Sequence, residues 1–402
     1  MSSELVLRNV DKIYGSGAVH AVKDLSFTVK PGEITALLGS SGCGKTSTLR
    51  MIAGFETVTR GSIALDGKVI HTLPPAQRGV AMAFETYSLY PPLTIAENIS
   101  FALKAQRLAS SDVNKRVKDM AELLEIGDVL HKYPSSVSGG QQQRASLGRA
   151  LVRKAGLYLL DEPMGQLEPQ LRAVLRGRIK HYLREHGCTT ILVTRDQTEA
   201  NALADRIAVM EGGVLQQYAT PTELKTRPAN LFVGTFIGEP PMNVFAVRIR
   251  EDADAVIFGI EGSEGQSLAY KAADFSAELR QRLKQEPSLM LGVRPHAVHI
   301  GGQGLKARVV TCQWLGDQTH IAAEIAGRTV VSVSHEQISA RPGSDVFLSI
   351  APQELHIFSA GNGAAIAHGA QLLSVPISSS AWMPGHRSSN PSLFRRTENS
   401  LP

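Results

Sequence analysis

Apolar residues follow two rhythms along this chain. Up to about Pro240, short unbroken apolar runs alternate with stretches whose apolar positions recur every three or four residues. The runs at 34–38, 80–84, 156–160 and 189–194 read as buried strands, since a strand covered on both faces needs no polar alternation. Leu49, Met51, Ile52 and Ala53, the stretch from Ile99 to about Leu130, and the stretch from Ser138 through Leu151 read as amphipathic helices. Residues 5–7 and 25–29 add two strands with 10–15 between them, and 206–210 with 213–216 form a short hairpin. Strands alternating with helices from Ile34 to Val193 predict an α/β fold built on a largely parallel sheet.

Beyond Pro240 the rhythm changes. Segments 244–249, 255–258, 305–310, 320–324, 330–333 and 346–350 are short strands separated by turn residues, with long amphipathic helices nearly absent. A separate, β-rich, barrel-like domain is expected there. From Gly361 onward Gly, Ala, Ser and Pro dominate, so 361–402 reads as a mostly disordered tail. The expected organisation is therefore 1–238, 239–360 and 361–402.

A chain of 402 residues has room for two or three such units. The net charge of +5 is spread thinly, with no dense Lys/Arg run interleaved with aromatics, so nucleic acid is not expected as the main ligand. Cys43, Cys188 and Cys312 are too scattered for a disulfide framework or a zinc site, which suits a reducing compartment. Residues 1–8 show no basic leader with an apolar core, and no stretch approaches the roughly 20 apolar residues of a membrane span. A soluble, cytoplasmic chain is expected, held at any membrane by other proteins.

The candidate chemistry sits at the ends of the apolar runs. Gly39-Ser40-Ser41-Gly42-Cys43-Gly44-Lys45-Thr46 follows the first strand and opens a helix, the context a phosphate-binding loop requires. Its glycines let backbone N–H groups turn toward a polyphosphate, Lys45 reaches the β- and γ-phosphates, and the Thr46 hydroxyl suits Mg²⁺. Cys43 lies at a helix N-terminus, where a thiol's pKa falls, although a small residue filling a variable position explains it as well. Asp161 and Glu162 end the third run, where an open α/β sheet places its ligands. Ser138-Gly139-Gly140-Gln141 opens a helix and forms a second anion-binding device, or simply a capped loop. Tyr14, upstream of the loop, could stack on a purine; the plainer reading is an ordinary strand-end tyrosine.

Taken in order, Tyr14, residues 39–46, Phe84-Glu85-Thr86-Tyr87-Ser88-Leu89-Tyr90-Pro91, Ser138-Gly139-Gly140-Gln141, Asp161-Glu162-Pro163 and Val193-Thr194-Arg195-Asp196 resemble the ATPase subunit of ATP-binding-cassette (ABC) transporters. Gly292-Val293-Arg294-Pro295 and the β-rich end resemble the OB-like, TOBE-type regulatory domain of maltose-type importers, so the likeness covers roughly 4–360. The resemblance implies a P-loop ATPase domain with a helical subdomain at about 87–150. It implies ATP and Mg²⁺ as cofactors, a second ATPase subunit, two membrane permeases and, indirectly, an external solute-binding protein. The place of work would be the cytoplasmic face of the plasma membrane, and the cargo carbohydrates, polyols or glycerol-type solutes. It further implies that Tyr14 stacks on adenine and that Thr46 and Asp161 hold Mg²⁺. Glu162 would activate water, and Ser138 and Gly140 would contact the nucleotide of the opposite subunit. The segment with Tyr87, Leu89 and Tyr90 would line a groove for the permease.

Three positions depart from the family pattern. Glu85 stands for the usual Gln, Arg195 for the usual His, and Met164-Gly165-Gln166-Leu167-Glu168 for a segment that usually carries Ser and Asp. Glu85 adds negative charge near Mg²⁺ while remaining a possible ligand. Arg195 is a permanent donor-only cation, whereas His also accepts. Either Glu85 and Arg195 pair as a charge couple, or this subunit's own site hydrolyses slowly, the better use of its signature being in a heterodimer with a standard ATPase. A soluble cassette protein acting on nucleic acid or ribosomes, and a regulatory subunit that binds ATP without turnover, are the competing readings.

Overall fold

In the computed structural model the described residues are 3–104, 108–263, 265–286 and 288–369. The expected parallel sheet is present as a six-stranded sheet. Its strand order is Val214–Ala219, Arg206–Glu211, Ile34–Gly39, Thr190–Val193, Leu157–Asp161 and Val80–Ala83. Every pair is parallel except the Val214–Ala219 hairpin at one edge. Ile34–Gly39 and Leu157–Asp161 are buried at every position, which is why their sequences lack alternation.

One face of this sheet packs with the helices Ile95–Lys104, Ser110–Leu123, Gly139–Leu151 and Pro169–Glu185 around Leu38, Ile99, Leu124, Leu147 and Leu175. The other face packs with the helix Lys45–Ala53 and a four-stranded antiparallel sheet ordered Val19–Val29, Leu5–Tyr14, Arg60–Leu65 and Lys68–Val69. Residues 10–14, expected to lie between strands, belong to the first one.

The C-terminal half is two antiparallel sheets over one core. Six strands run in the order Ser267–Lys271, Ala255–Ile260, Asn243–Glu251, Leu289–Val293, Leu355–Ser359 and Ala365–His368. Five more run Val298–Gly301, Asp345–Ile350, Leu305–Trp314, Thr319–Ile325 and Arg328–Ser334. Phe245, Phe258 and Leu291 of the first meet Leu305, Ala323 and Leu348 of the second. Two corrections follow. Residues 277–285 form a helix capped by the Ser276 side chain, which buries only Leu279 and Leu283, too sparse a stripe for periodicity to register. The tail reading fails at its start, because Ala365–His368 pairs with Leu355–Ser359. The rest of that reading, 370–402, lies outside the described residues.

The two halves are clasped by Arg294. Its side chain is buried, and its guanidinium donates to the carbonyls of Gly234 at 2.8 Å, Lys225 at 3.0 Å and Ile237. Burial lowers its pKa to about 10, which still leaves it charged. Beside it His356 and His368 share a hydrogen bond between their Nδ1 atoms at 3.0 Å. One ring must donate and the other accept, so the accepting ring is neutral and at most one of the pair can carry a charge. Burial drives His356 down to about 3 and His368 to about 4.

Candidate nucleotide site

The phosphate loop leaves the end of Ile34–Gly39 and winds into Lys45–Ala53. Two glycines are obligatory here. A Cβ on Gly39 would lie 2.1 Å from the Met210 carbonyl oxygen, and Gly44 combines φ +100° with the Ala21 carbonyl oxygen 2.4 Å from such a Cβ. The Lys45 ammonium folds back on the loop, donating to the carbonyls of Gly39 at 2.7 Å and Ser40 at 2.8 Å. Ser40 is itself tied down, its hydroxyl donating to Glu211 at 2.5 Å. The Tyr14 hydroxyl donates to Ser47 at 3.2 Å, and the Lys12 ammonium sits 4.6 Å from its ring centre. Tyr14 is thus a strand-end residue that also borders the loop. Cys43 is fully buried, and burial raises its pKa despite Lys45 nearby, so the loop thiol is not an activated one.

Asp161 and Glu162 end Leu157–Asp161 and face the loop across the sheet end. Asp161 is 4% exposed and its Oδ1 has no partner among the described residues. Burial, then the charges of Glu85 and Glu162, raise its pKa to about 6 against the pull of Arg50 and Arg195. A buried oxygen without a donor, among further carboxylates, fits a cation. No three His, Cys, Asp or Glu side chains converge as a complete cage among the described residues. That suits Mg²⁺, which binds through one or two carboxylates together with nucleotide phosphates and waters.

The expected couple of Glu85 and Arg195 does not form. Arg195 Nε instead donates to Glu162 Oε1 at 2.6 Å, because both side chains project from neighbouring strand ends. The loop that carries Arg195 is fixed from below. Thr194 donates to the buried Glu199 at 2.5 Å, and burial raises that carboxyl to about 7. Asp196 pairs with Arg172 at 3.2 Å, and Arg172 donates onward to the Leu167 carbonyl at 3.1 Å.

The signature lies apart from this cluster. Ser138 caps Gly139–Leu151 through a capping box: its Oγ accepts from the Gln141 N–H at 3.3 Å, and Gln141 Oε1 accepts from the Ser138 N–H at 3.0 Å. Because the hydroxyl oxygen accepts inward, its proton is free to point outward. Gly140 packs against the segment after Pro163, where a Cβ would meet the Gln166 carbonyl oxygen at 3.3 Å.

Residues that line one small pocket are Ala21, Ser41, Gly42, Gly44, Lys45, Thr46, Ser47, Glu162 and Arg195. Its volume of about 130 Å³ is well below the few hundred Å³ that enclose a nucleotide-sized ligand, so a nucleotide bound here would stay largely exposed on this face. On the far side of Gly139–Leu151 a groove of about 690 Å³ exposes Phe55, Tyr90 and Phe101. Arg149 holds its rim, donating to the Ser88 carbonyl at 2.6 Å and the Tyr87 carbonyl at 2.9 Å, both residues having positive φ. Leu89 packs inward against the main core.

Sequence reasoning missed Gln143, Arg149, Arg172 and Glu199. Only Gln143 carried a signal: it shares the i, i+4, i+8 stripe with Leu147 and Leu151, where a polar residue is out of place.

These features are those of a nucleotide-binding cassette, and comparison with known proteins agrees. Residues 22–165 match the family model for ABC transporters, and 291–358 match that for the TOBE domain. An sn-glycerol-3-phosphate import ATP-binding protein of Agrobacterium fabrum is 37% identical over 364 residues, covering 90% of this chain and 94% of its own. A trehalose/maltose import ATP-binding protein of Thermococcus litoralis is 38% identical over 375 residues, covering 90% and 98%. A dimeric ATP-binding cassette solved with ADP and phosphate superposes with a TM-score of 0.51 at 26% identity, over 54% of this chain and 98% of that one. The chain belongs to the ABC transporter family, as the ATP-binding subunit of an importer with a C-terminal TOBE domain. No helix among the described residues is long and apolar enough to cross a membrane.

Proposed function

We propose that this chain binds Mg²⁺-ATP and energises uptake of a carbohydrate, polyol or glycerol-phosphate-type solute, with its own site the slower of two in an ATPase dimer. The small pocket supports dimerisation, because a second cassette would cover the exposed nucleotide. In such a dimer Tyr14 borders the adenine and the loop N–H groups with Lys45 neutralise the phosphates. Thr46, Asp161 and Glu85 would hold Mg²⁺, which would neutralise charge on the bound polyphosphate. The outward proton of Ser138 and the N–H of Gly140 serve the partner's γ-phosphate. The groove at Tyr90 and Phe101 receives the permease, which holds the complex at the cytoplasmic face of the membrane.

One observation carries the slow-site reading, the 2.6 Å bond from Arg195 to Glu162. A general base must present a free oxygen to the attacking water. Here one oxygen is held by a permanent cation that can neither take a proton nor release one. In the signature, by contrast, the capping box leaves the Ser138 hydroxyl proton free, which favours a heterodimer with a standard ATPase over a homodimer.

ATP hydrolysis by the purified chain, alone and as Arg195→His, tests this. We expect the substitution to raise turnover about tenfold, the weight of one positioned charge near the reacting phosphate, without changing ATP affinity. A wild-type rate equal to that of Arg195→His sinks the slow-site reading. Absence of nucleotide binding sinks the function as a whole.

A further inference from the structure

Glu162 adopts a backbone conformation that L residues avoid, with φ +44°. Such a residue persists only where its surroundings over-determine it. Its N–H donates to the Val193 carbonyl at 2.9 Å, and its own carbonyl accepts a long bond from the Gly165 N–H at 3.3 Å. The stronger bond to that carbonyl comes from a different element. Gln143, on the signature helix Gly139–Leu151, donates from Nε2 at 2.9 Å. The same side chain accepts the Gln166 N–H on Oε1 at 3.0 Å.

Gln143 is 4% exposed and lies on the helix stripe otherwise occupied by Leu147 and Leu151. An apolar residue would pack there without the cost of burying an amide. Both ends of the amide are used, and both act on the backbone that carries Glu162 and the segment after it. The direction in which a side chain leaves the chain is set by the backbone at its own Cα. Fixing the Glu162 peptide therefore fixes where its carboxylate points.

We propose that Gln143 is a positioning residue for Glu162, locking the left-handed backbone of the general base to the helix that begins with Ser138. The proposal rests on the reading of Glu162 as that base. It makes the signature helix and the hydrolytic carboxylate one mechanical body: when Ser138 and Gly140 seat on the partner's nucleotide, the peptide of Glu162 moves with them.

Gln143→Met keeps the volume and removes both bonds. In the full chain, amide hydrogen exchange of peptides spanning 162–168 should quicken about tenfold, the loss of one protecting bond, while the strand Ile34–Gly39 exchanges as before. In the assembled ATPase dimer kcat should fall between about 10- and 100-fold with KM unchanged, as expected of a misplaced catalytic group. Gln143→Glu retains the acceptor for Gln166, so exchange there should stay slow while kcat still drops. Unchanged exchange at 162–168, or quickening throughout the chain, overturns the proposal. Turnover that falls with Glu162→Gln but ignores Gln143→Met overturns the role of Gln143 alone. Turnover indifferent to both removes Glu162 as the base and the proposal with it.

Discussion

Asp161, at the end of the parallel sheet beside the half-buried Glu162 and the exposed Glu85, and the arginine–histidine seam of the C-terminal half both bury ionisable groups, yet they close differently. In the seam, His356 and His368 bond each other through Nδ1, and the two terminal nitrogens of Arg294 donate to the carbonyls of Gly234, Ile237 and Lys225, while its Nε has no acceptor among the described residues. In the cluster, Asp161 Oδ1 has no donor among the described residues, and its pKa is pushed up to about 6. The seam turns its guanidinium ends onto protein carbonyls, whereas the cluster keeps a surplus acceptor oxygen among further carboxylates, where a cation would fit. Substitutions in the cluster should therefore change rate and spare stability, and substitutions in the seam should do the reverse.

The largest expected effect is Glu162→Gln in an Arg195→His background, which should lower turnover at least about 10²-fold by removing general-base catalysis, with the melting temperature unchanged. A fall in melting temperature instead would place Glu162 among the structural residues. Next comes Arg294→Ala. It strands carbonyls of Gly234, Ile237 and Lys225 and should cost about 3 kcal/mol or more in denaturant unfolding, with ATP affinity intact. An equal loss of ATP affinity would erase the contrast. Arg195→His, already described, should move rate by about tenfold and stability hardly at all, since the Arg195 side chain is exposed.

Smallest near neutrality, and growing only in acid, is a pH dependence. Both histidines have folded pKa values far below the unfolded value near 6.5, so the unfolded chain binds more protons below that pH. Stability should be full above about pH 6.5 and decline as pH falls toward 4, by up to about 1.4 kcal/mol per pH unit for each ring. His368→Phe should flatten that slope in urea titrations at pH 7, 6 and 5. A slope unaltered by the substitution would show that the pair is protonated in the folded state.

The parallel sheet and the candidate site residues were legible because the runs end in residue types suited to phosphate or cation chemistry: glycines, Lys45 and Thr46 after the first, Asp161 and Glu162 after the third. What escaped depended on distance in three dimensions. Arg195 was seen as a cation close to Glu85, but only the folded strand ends decide that it meets Glu162 instead. Gln143 stands in a run of three glutamines, and only its place on the stripe of Leu147 and Leu151, borne out by its burial, separates it from Gln141 and Gln142. In the C-terminal half the helix at 277–285 buries only Leu279 and Leu283, and the strand at 365–368 is four residues long at the edge of a stretch rich in Gly and Ala, so neither registers as a periodicity.

The signature helix Gly139–Leu151 has a grip at each end and one in the middle: Ser138 at its N-terminus, Gln143 on the backbone of Glu162, and Arg149 on the carbonyls of Tyr87 and Ser88 at the groove. Thirteen residues of α-helix make a rod about 20 Å long that bends little over that span. With the functions proposed for its two ends, such a rod permits no lag. A push from the permease at the groove and the closing of the signature on a neighbour's ATP become the same displacement, so transport and hydrolysis share a single stroke instead of passing a signal between them.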